Sequence, residues 1–368
     1  MARQTMLYDR HVKLGGRMVE FAGWLLPVQY PTGPLEEHHR VRNAAGLFDI
    51  DHMGQVVIAG PDAEAFLQRV MTADVSRFPV GSANYSLMCY EDGGVVDDTF
   101  IYRMPDRYFV AINASNNAKD TRWLGYHKMG LNVNITNVSE STYMLALQGP
   151  KAEAILQPIC GCNLSELQYH MGVDTTIADV PALVGRTGYT GEDGFEIFLP
   201  ADRAGLVWDR IMEAGAPHGL LPIGLAARDS LRFEACMPLY GQEISATVGP
   251  FEAGLGWAVS FDKGTFVGRE ALLKARLEGT ALRLVGFEML ESGVPRHEYP
   301  VVVNGAVCGR VTSGMYGPTV GKFLGLALVP SAYSAIGTAI GISIRGKVKP
   351  AIVTKKPFYT PAYRRQSK

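Results

Sequence analysis

Gln55-Val56-Val57-Ile58-Ala59-Gly60-Pro61-Asp62-Ala63-Glu64-Ala65-Phe66-Leu67 is the stretch that decides the fold. An apolar strand runs into Gly-Pro, and a helix then starts with a proline already set for its first turn. The pattern returns at Tyr143-Met144-Leu145-Ala146-Leu147-Gln148-Gly149-Pro150-Lys151-Ala152-Glu153-Ala154-Ile155-Leu156. A third step from strand to helix follows at Phe195-Glu196-Ile197-Phe198-Leu199-Pro200, which leads into residues 201–213. Repeated strand-helix units without nucleotide-type glycine signatures predict an α+β fold layered from two related halves. A duplicated body of this kind commonly leaves a ligand cleft between its halves.

Beyond about residue 275 strands take over, at 284–289, 299–303, 306–312, 325–329 and 339–344. Asn304-Gly305, between two of them, is the strongest hairpin signal in the chain. The predicted organisation is a body over 1–275, made of two intertwined α+β domains, and a small antiparallel β-barrel over 280–360. A chain of 368 residues is too long for one ordinary core. The basic tail at 364–368 is expected to be disordered.

With 47% hydrophobic and 19% charged residues the composition is that of a soluble globular protein. A formal net charge of -1 leaves no basic excess for phosphates, so nucleic acid is excluded as the main partner. A local basic patch for a smaller anion stays open. Residues 1–16 show neither an apolar core nor a small-residue cleavage site, so no export signal is expected. The most apolar stretch, 324–344, has the length of a membrane span. Pro330, Gly337 and Gly341 interrupt it, however, and Ile340-Gly341-Ile342-Ser343-Ile344 alternates as a strand does. No membrane helix is expected. The five cysteines include no Cys-x-x-Cys, and Cys160-Gly161-Cys162 is too isolated to make a zinc site. Free thiols in a reducing, cytoplasmic compartment fit this pattern.

Gly93-Gly94-Val95-Val96-Asp97-Asp98-Thr99-Phe100-Ile101-Tyr102 sets two adjacent carboxylates on an apolar strand behind a glycine turn. Neighbours on a strand point to opposite faces, so at most one of Asp97 and Asp98 looks into a given pocket. The other faces water, caps a turn or pairs with a base.

Gly185-Arg186-Thr187-Gly188-Tyr189-Thr190-Gly191-Glu192-Asp193-Gly194-Phe195-Glu196 repeats glycine every third residue, but a strand follows where a dinucleotide fingerprint needs a helix. No Gly-Lys-Ser/Thr ends the loop either, which removes a phosphate cradle of the P-loop kind. Two readings of Glu196 remain. It faces solvent on an edge strand, or it accepts two parallel N–H bonds from a flat heterocycle such as a pterin. Arg228 and Arg232 stack four residues apart on a predicted helix, a spacing that usually marks a solvated, salt-bridged face. Adjacent His38 and His39 point about 100° apart on a helix and cannot chelate one ion. No nucleophile elbow occurs, and no cysteine has an activating partner.

These residues together resemble the aminomethyltransferases (T-proteins) of the glycine cleavage system, within the wider family of folate-dependent aminomethyl- and methyltransferases. The matching runs span nearly the whole chain. They include Met18-Val19-Glu20-Phe21-Ala22-Gly23-Trp24, Gly46-Leu47-Phe48-Asp49-Ile50-Asp51-His52-Met53 and Gly93 to Asp98. They continue with Gln148-Gly149-Pro150, Arg186 to Glu196, Gly224 to Glu234, Leu239-Tyr240-Gly241-Gln242 and Lys355-Lys356-Pro357-Phe358. The resemblance implies a three-domain cloverleaf with folate in a central channel. It makes Asp98 the catalytic carboxylate, with Asp97 as fallback, and assigns the folate site to Tyr85, Tyr102, Asn113, Tyr169, Tyr189, Glu196 and Arg228.

The implied reaction needs no metal. An aminomethyl group arrives on the dihydrolipoyl arm of a carrier, H-protein, and passes to tetrahydrofolate with release of ammonia. Orientation and charge management are then the protein's main tasks. Two departures from the family stand out: Asp51 where serine is frequent, and Met237 where some members carry an aromatic. A folate-dependent demethylase of a small methylated amine, sulfonium or methoxyaromatic compound is the alternative. A folate-binding accessory protein of iron–sulfur assembly is disfavoured, because Cys236 lacks the preceding Lys-Gly of that signature.

Overall fold

Both copies of the strand-Gly-Pro-helix unit fold as their pattern predicts. Strand Gly54–Ala59 leads to helix Ala63–Val70, and strand Thr142–Gln148 leads to helix Ala152–Leu156. The coordinates are a computed structural model that describes residues 2–361 and residue 363. The basic tail at 364–368 lies outside the described residues.

The chain divides into two compact units. The first comprises Met1–Leu67, Val75–Tyr85 and Thr99–Asp229; the second comprises Gln68–Asp74, Ser86–Asp98 and Ser230–Lys368. In the first unit each half of the internal echo sits inside its own sheet. Strand Gly54–Ala59 lies between Tyr108–Ile112 and Asn134–Asn137 in a five-stranded sheet that also takes in Val95–Arg103 and Ala83–Cys89. Strand Thr142–Gln148 lies between Gly46–Asp49 and Gly194–Pro200 in a six-stranded sheet, which continues through Val180–Gly185 to Gly172–Ile177. Leu145, Leu147, Phe195 and Ile197 from this sheet bury against Trp208 and Ile211 of helix Ala204–Gly215. Burying such side chains contributes about 1.5–3 kcal/mol each, which is what holds a helix so short of strong caps.

The second unit contains a closed antiparallel barrel of six strands. Their order is Leu282–Met289, Lys322–Pro330, Ala306–Gly317, Pro300–Val303, Ala339–Ile344 and Lys347–Thr354. Phe287, Val301, Val311, Ile342 and Val353 fill it. Asn304 (φ 52°) and Gly305 (φ 79°) both take the left-handed conformation of a tight hairpin turn. The last strand, Lys347–Thr354, is absent from the sequence reading. Lys347, Lys349 and Pro350 hide its alternation, yet Ala351 and Val353 point inward from it. The apolar run 324–344 resolves into two barrel strands. Among the described residues no helix is long and apolar enough to cross a membrane.

The glycine turn before the paired carboxylates also belongs to the second unit. Gly93 has a φ of 88°, and the amide of Gly94 donates to Asp92 Oδ1 at 3.0 Å. A Cβ at Gly94 would stand 1.9 Å from the carbonyl oxygen of Ala246, so only glycine fits there.

Candidate functional site

Glu196 lies on an inner strand, paired to Ala146 on one side and to Gly185 on the other. The edge-strand reading therefore fails. Glu196 is 9% exposed, inside the first unit. Gly185 is what makes room for its partner: a Cβ there would lie 2.4 Å from the ring of Tyr102. Tyr102 comes from the other sheet of the same unit and donates its hydroxyl to Glu196 Oε2 at 3.1 Å. Thr187 donates to the same oxygen at 2.6 Å, and the two hydroxyls stand 2.7 Å apart. Oε1 accepts no hydrogen bond among the described residues. Burial raises the Glu196 carboxyl above its ordinary range, against the pull of Thr187, Arg228 and Tyr102. Burial and then the charge of Glu196 push the Tyr102 phenol well above its own.

The loop that carries Thr187 and Tyr189 is clamped. Gln148 donates to the Thr187 carbonyl at 3.0 Å and accepts from Thr190 at 2.9 Å. Arg42 donates to the Thr190 carbonyl at 2.7 Å and pairs with Glu192 at 2.9 Å. Arg186 forks onto Asp193 at 3.0 and 2.6 Å, reaches Glu153 at 2.8 Å, and donates to the carbonyls of Leu164 and Leu167. Such planar, bidentate contacts fix a loop in a way a lysine would not. Above it, the Arg228 guanidinium sits 4.8 Å over the ring of Tyr189, a cation–π contact, and its charge reaches both Glu196 and His52.

The structure thus brings Tyr102, Tyr189, Glu196 and Arg228 into one neighbourhood. Tyr169 stacks on His170 with ring centres 4.0 Å apart, and His170 meets Phe100 edge-on. Tyr85 is half-buried in strand Ala83–Cys89, and Asn113 is half-buried just ahead of the turn Ala114–Asn116. Asp98 belongs to the second unit, where it is half-buried while Asp97 is fully buried, the inequality expected of opposite strand faces.

Arg232 corrects the expectation of a solvated face. It is 1% exposed, bonded to Glu243 at 3.1 Å, Ser313 at 2.9 Å and Gln242 at 3.2 Å. Helical spacing aligns the two arginines but says nothing of what covers them. In the Glu36-Glu37-His38-His39 run, Glu37 serves the backbone instead, accepting from the amides of Tyr30 at 2.6 Å and Gly224 at 2.7 Å.

Three further polar residues went unassigned in the sequence, although all lie in one quoted run. Asp49 Oδ2 accepts from Thr5 at 2.7 Å and Tyr143 at 2.8 Å and faces His11 Nε2 at 2.8 Å. Burial would raise its carboxyl, but His11, Thr5 and the Asp51 amide hold it below its ordinary value. Asp51 is less well served: burial and then the charge of Asp49 push it up to about 8 against the smaller pull of a backbone contact at Met144 and the charge of Arg3, and its Oδ1 lacks a partner among the described residues. His52 is buried with no partner for Nδ1 among the described residues, and burial followed by Arg228 pushes its ring down to about 3. A neutral imidazole whose buried Nδ1 has no partner among the described residues, within reach of the charge of Arg228, and a glutamate with Oε1 to spare are polar groups that a closed core would have satisfied.

Comparison with known proteins agrees along the whole chain. Residues 7–263 match the family described as the GCVT N-terminal domain, and residues 283–360 match the glycine cleavage T-protein C-terminal barrel domain. An aminomethyltransferase of Symbiobacterium thermophilum is 49% identical over 371 residues, covering 99% of both chains. One from Desulforamulus reducens is 48% identical, covering 97% of this chain and 98% of that one. The crystal structure of glycine cleavage system aminomethyltransferase T from Bartonella henselae superposes with a TM-score of 0.93 at 34% identity, over 98% of this chain and 99% of that one. The chain belongs to the glycine cleavage T-protein family.

Proposed function

We infer that this chain, an aminomethyltransferase of the glycine cleavage system, passes its one-carbon unit to tetrahydrofolate from the aminomethylated dihydrolipoyl arm of H-protein. The observation that carries the acceptor is Glu196. Its Oε2 is held by two hydroxyls while Oε1 accepts nothing from the described residues, so the carboxylate plane is fixed and still has acceptor capacity. A pterin offers a ring N–H and an exocyclic amine side by side, the donor pair a carboxylate takes best. Arg228, with a planar fork of donors, suits either folate's glutamyl carboxylates or the pocket carboxylate itself. Tyr85, Tyr102, Asn113, Tyr169 and Tyr189 complete the proposed site.

Tetrahydrofolate supplies two nitrogens that replace the ammonia and the sulfur on the transferred carbon. Their two protons leave with ammonia and with the freed thiol, so the exchange balances without metal or oxidant. The chain must hold the acceptor in register, exclude water and stabilise positive charge that develops on the carbon. We assign that last task to Asp98, whose half-buried carboxylate differs from its sealed neighbour Asp97. Five free cysteines fit a reducing cytoplasm.

Single-turnover rates with aminomethylated H-protein and tetrahydrofolate test the assignment. Asp98→Asn keeps shape and removes charge, so the rate should fall about a hundredfold or more while folate affinity falls much less. Asp97→Asn should stay within a few-fold. The reverse ranking would move the role to Asp97, and near-wild-type rates in both would end the carboxylate mechanism. A donor panel tests the carrier: faster turnover of methylated amines or sulfoniums than of aminomethylated H-protein would make the chain a demethylase.

A further inference from the structure

Cys160 and Cys162 take no part in the chemistry above. Cys160 has extended backbone (φ -97°, ψ 136°) and bridges to Ile177, and the chain bends at Gly161 and Cys162, which brings the two side chains together. Their sulfurs stand 3.5 Å apart, both side chains half-buried against the core of the first unit. The turn between them is held from three directions. The Gly161 amide donates to the Thr176 carbonyl at 2.8 Å. The Gln157 side chain donates to the Cys162 carbonyl at 2.9 Å and accepts from the Leu164 amide at 2.7 Å. A Cβ at Gly161 would lie 2.5 Å from Thr176 Oγ1, so a larger spacer would have to displace that side chain. Among the described residues no other two cysteines are in sulfur contact.

We propose that Cys160 and Cys162 form a dithiol modification site that low-molecular-weight disulfides such as glutathione disulfide convert to an intrachain disulfide. Closing the bond takes the sulfurs from 3.5 Å to about 2.0 Å, a change within reach of side-chain rotation. The thiolate of one cysteine attacks a sulfur of the oxidant, forming a mixed disulfide and releasing one small thiol. The second cysteine then attacks the protein-bound sulfur and releases the other small thiol. Two protein thiols are oxidised, one external disulfide is reduced to two thiols, and their protons pass to the released thiolates. Burial pushes the Cys160 thiol up to about 11, with Cys162 and Thr175 beside it, so the pair exchanges slowly at neutral pH.

The test uses the full-length protein incubated with excess glutathione disulfide, then denatured under thiol-blocking conditions and read by peptide mass. The expected product has lost two hydrogens in the peptide that carries both cysteines, holds no glutathione there, and reverts with dithiothreitol. Cys160→Ser and Cys162→Ser should each instead retain one glutathione on the remaining thiol, while Cys308→Ser should close the pair as the wild type does. The wild-type mass stands as evidence even if either serine variant folds poorly. Recovery of both thiols unmodified, a stable glutathione adduct on the wild-type pair, or a bridge from either residue to another cysteine would each overturn the proposal.

Discussion

Glu196 in the first unit and Glu243 in the second are both buried glutamates, and they are satisfied in opposite ways. Glu243 uses both oxygens: Oε2 takes the Arg232 guanidinium at 3.1 Å and the Leu239 amide at 3.0 Å, and Oε1 takes Ser313 at 2.7 Å. A cation lies in contact, and the network closes on itself. Glu196 has two hydroxyls on one oxygen, with Arg228 acting on it through its field. Burial and residue type are the same, so neither marks a ligand site. The partner set does: a closed network is architecture, and a fixed carboxylate with acceptor capacity left over is recognition.

The strongest way to break this comparison is to remove the cation from the closed network. Arg232→Ala leaves Glu243 buried without its partner, which should cost about 3–5 kcal/mol of stability. Replacing both, as Arg232→Met with Glu243→Leu, should recover much of that loss, because two desolvated charges disappear together. Denaturant midpoints of the single and double variants measure it. A single variant as stable as the wild type would mean that the pair is not the architecture it looks like.

Asp51 shows a third solution, the retained proton, and it gives the comparison a pH axis. Its carboxyl is pushed up to about 8 in the folded chain, against about 3.9 for a free aspartate. Between those values the folded state binds a proton that the unfolded chain has released. Stability therefore falls as pH rises through the window, by about 1.4 kcal/mol per unit. From pH 5 to pH 7 the stability of the wild type should fall by about 2–3 kcal/mol relative to that of Asp51→Asn, the difference cancelling what His52 contributes to both. His52, pushed down to about 3, works in the other direction: its contribution is lost as pH falls from about 6.5, and Asp51→Asn should leave that acid limb in place. Parallel pH profiles of stability for wild type and Asp51→Asn would refute the retained proton.

On the open side of the comparison, Glu196→Gln keeps shape but presents an amide where two donors should arrive. Folate affinity should fall by about 2–3 kcal/mol while the thermal midpoint hardly moves. Calorimetry with tetrahydrofolate decides it, and unchanged affinity would remove the pterin contact.

How much of this was legible beforehand differs by residue. The two Gly-Pro steps gave away two strand-to-helix units, and Asn304-Gly305 gave away a barrel hairpin, because turn chemistry is local. Glu196 was conspicuous as a carboxylate on an apolar strand. Its burial was not, because that depends on Gly185 admitting Tyr102 from another sheet. Arg232 reads the same whether water or Glu243 covers it, since the spacing of a solvated pair and a buried one is identical. Asp51 and His52 lay inside one of the matching runs, and only the structure shows that Oδ1 and Nδ1 lack partners among the described residues. The strand Lys347–Thr354 was masked by Lys347 and Lys349, which continue the face of Ala351 and Val353 past the end of the barrel core, and by Pro350 on the opposite face.

Thr187→Val is the smallest test and the most discriminating. Valine matches the shape of threonine and removes one donor from Glu196 Oε2, leaving the Tyr102 hydroxyl in place. Because the Thr187 bond favours the charged carboxylate, its loss should raise the Glu196 carboxyl further and loosen its orientation. Both effects weaken a charge-assisted contact, so folate affinity should drop by about 1 kcal/mol, roughly fivefold, and Thr187→Ser should restore most of it. Ser313→Ala makes the matching change at Glu243, removing a donor at 2.7 Å. If the two glutamates differ as argued, that substitution should lower the denaturant midpoint by about the same energy and leave folate affinity untouched. Equal effects of both variants on folate affinity would erase the distinction between the open site and the closed network.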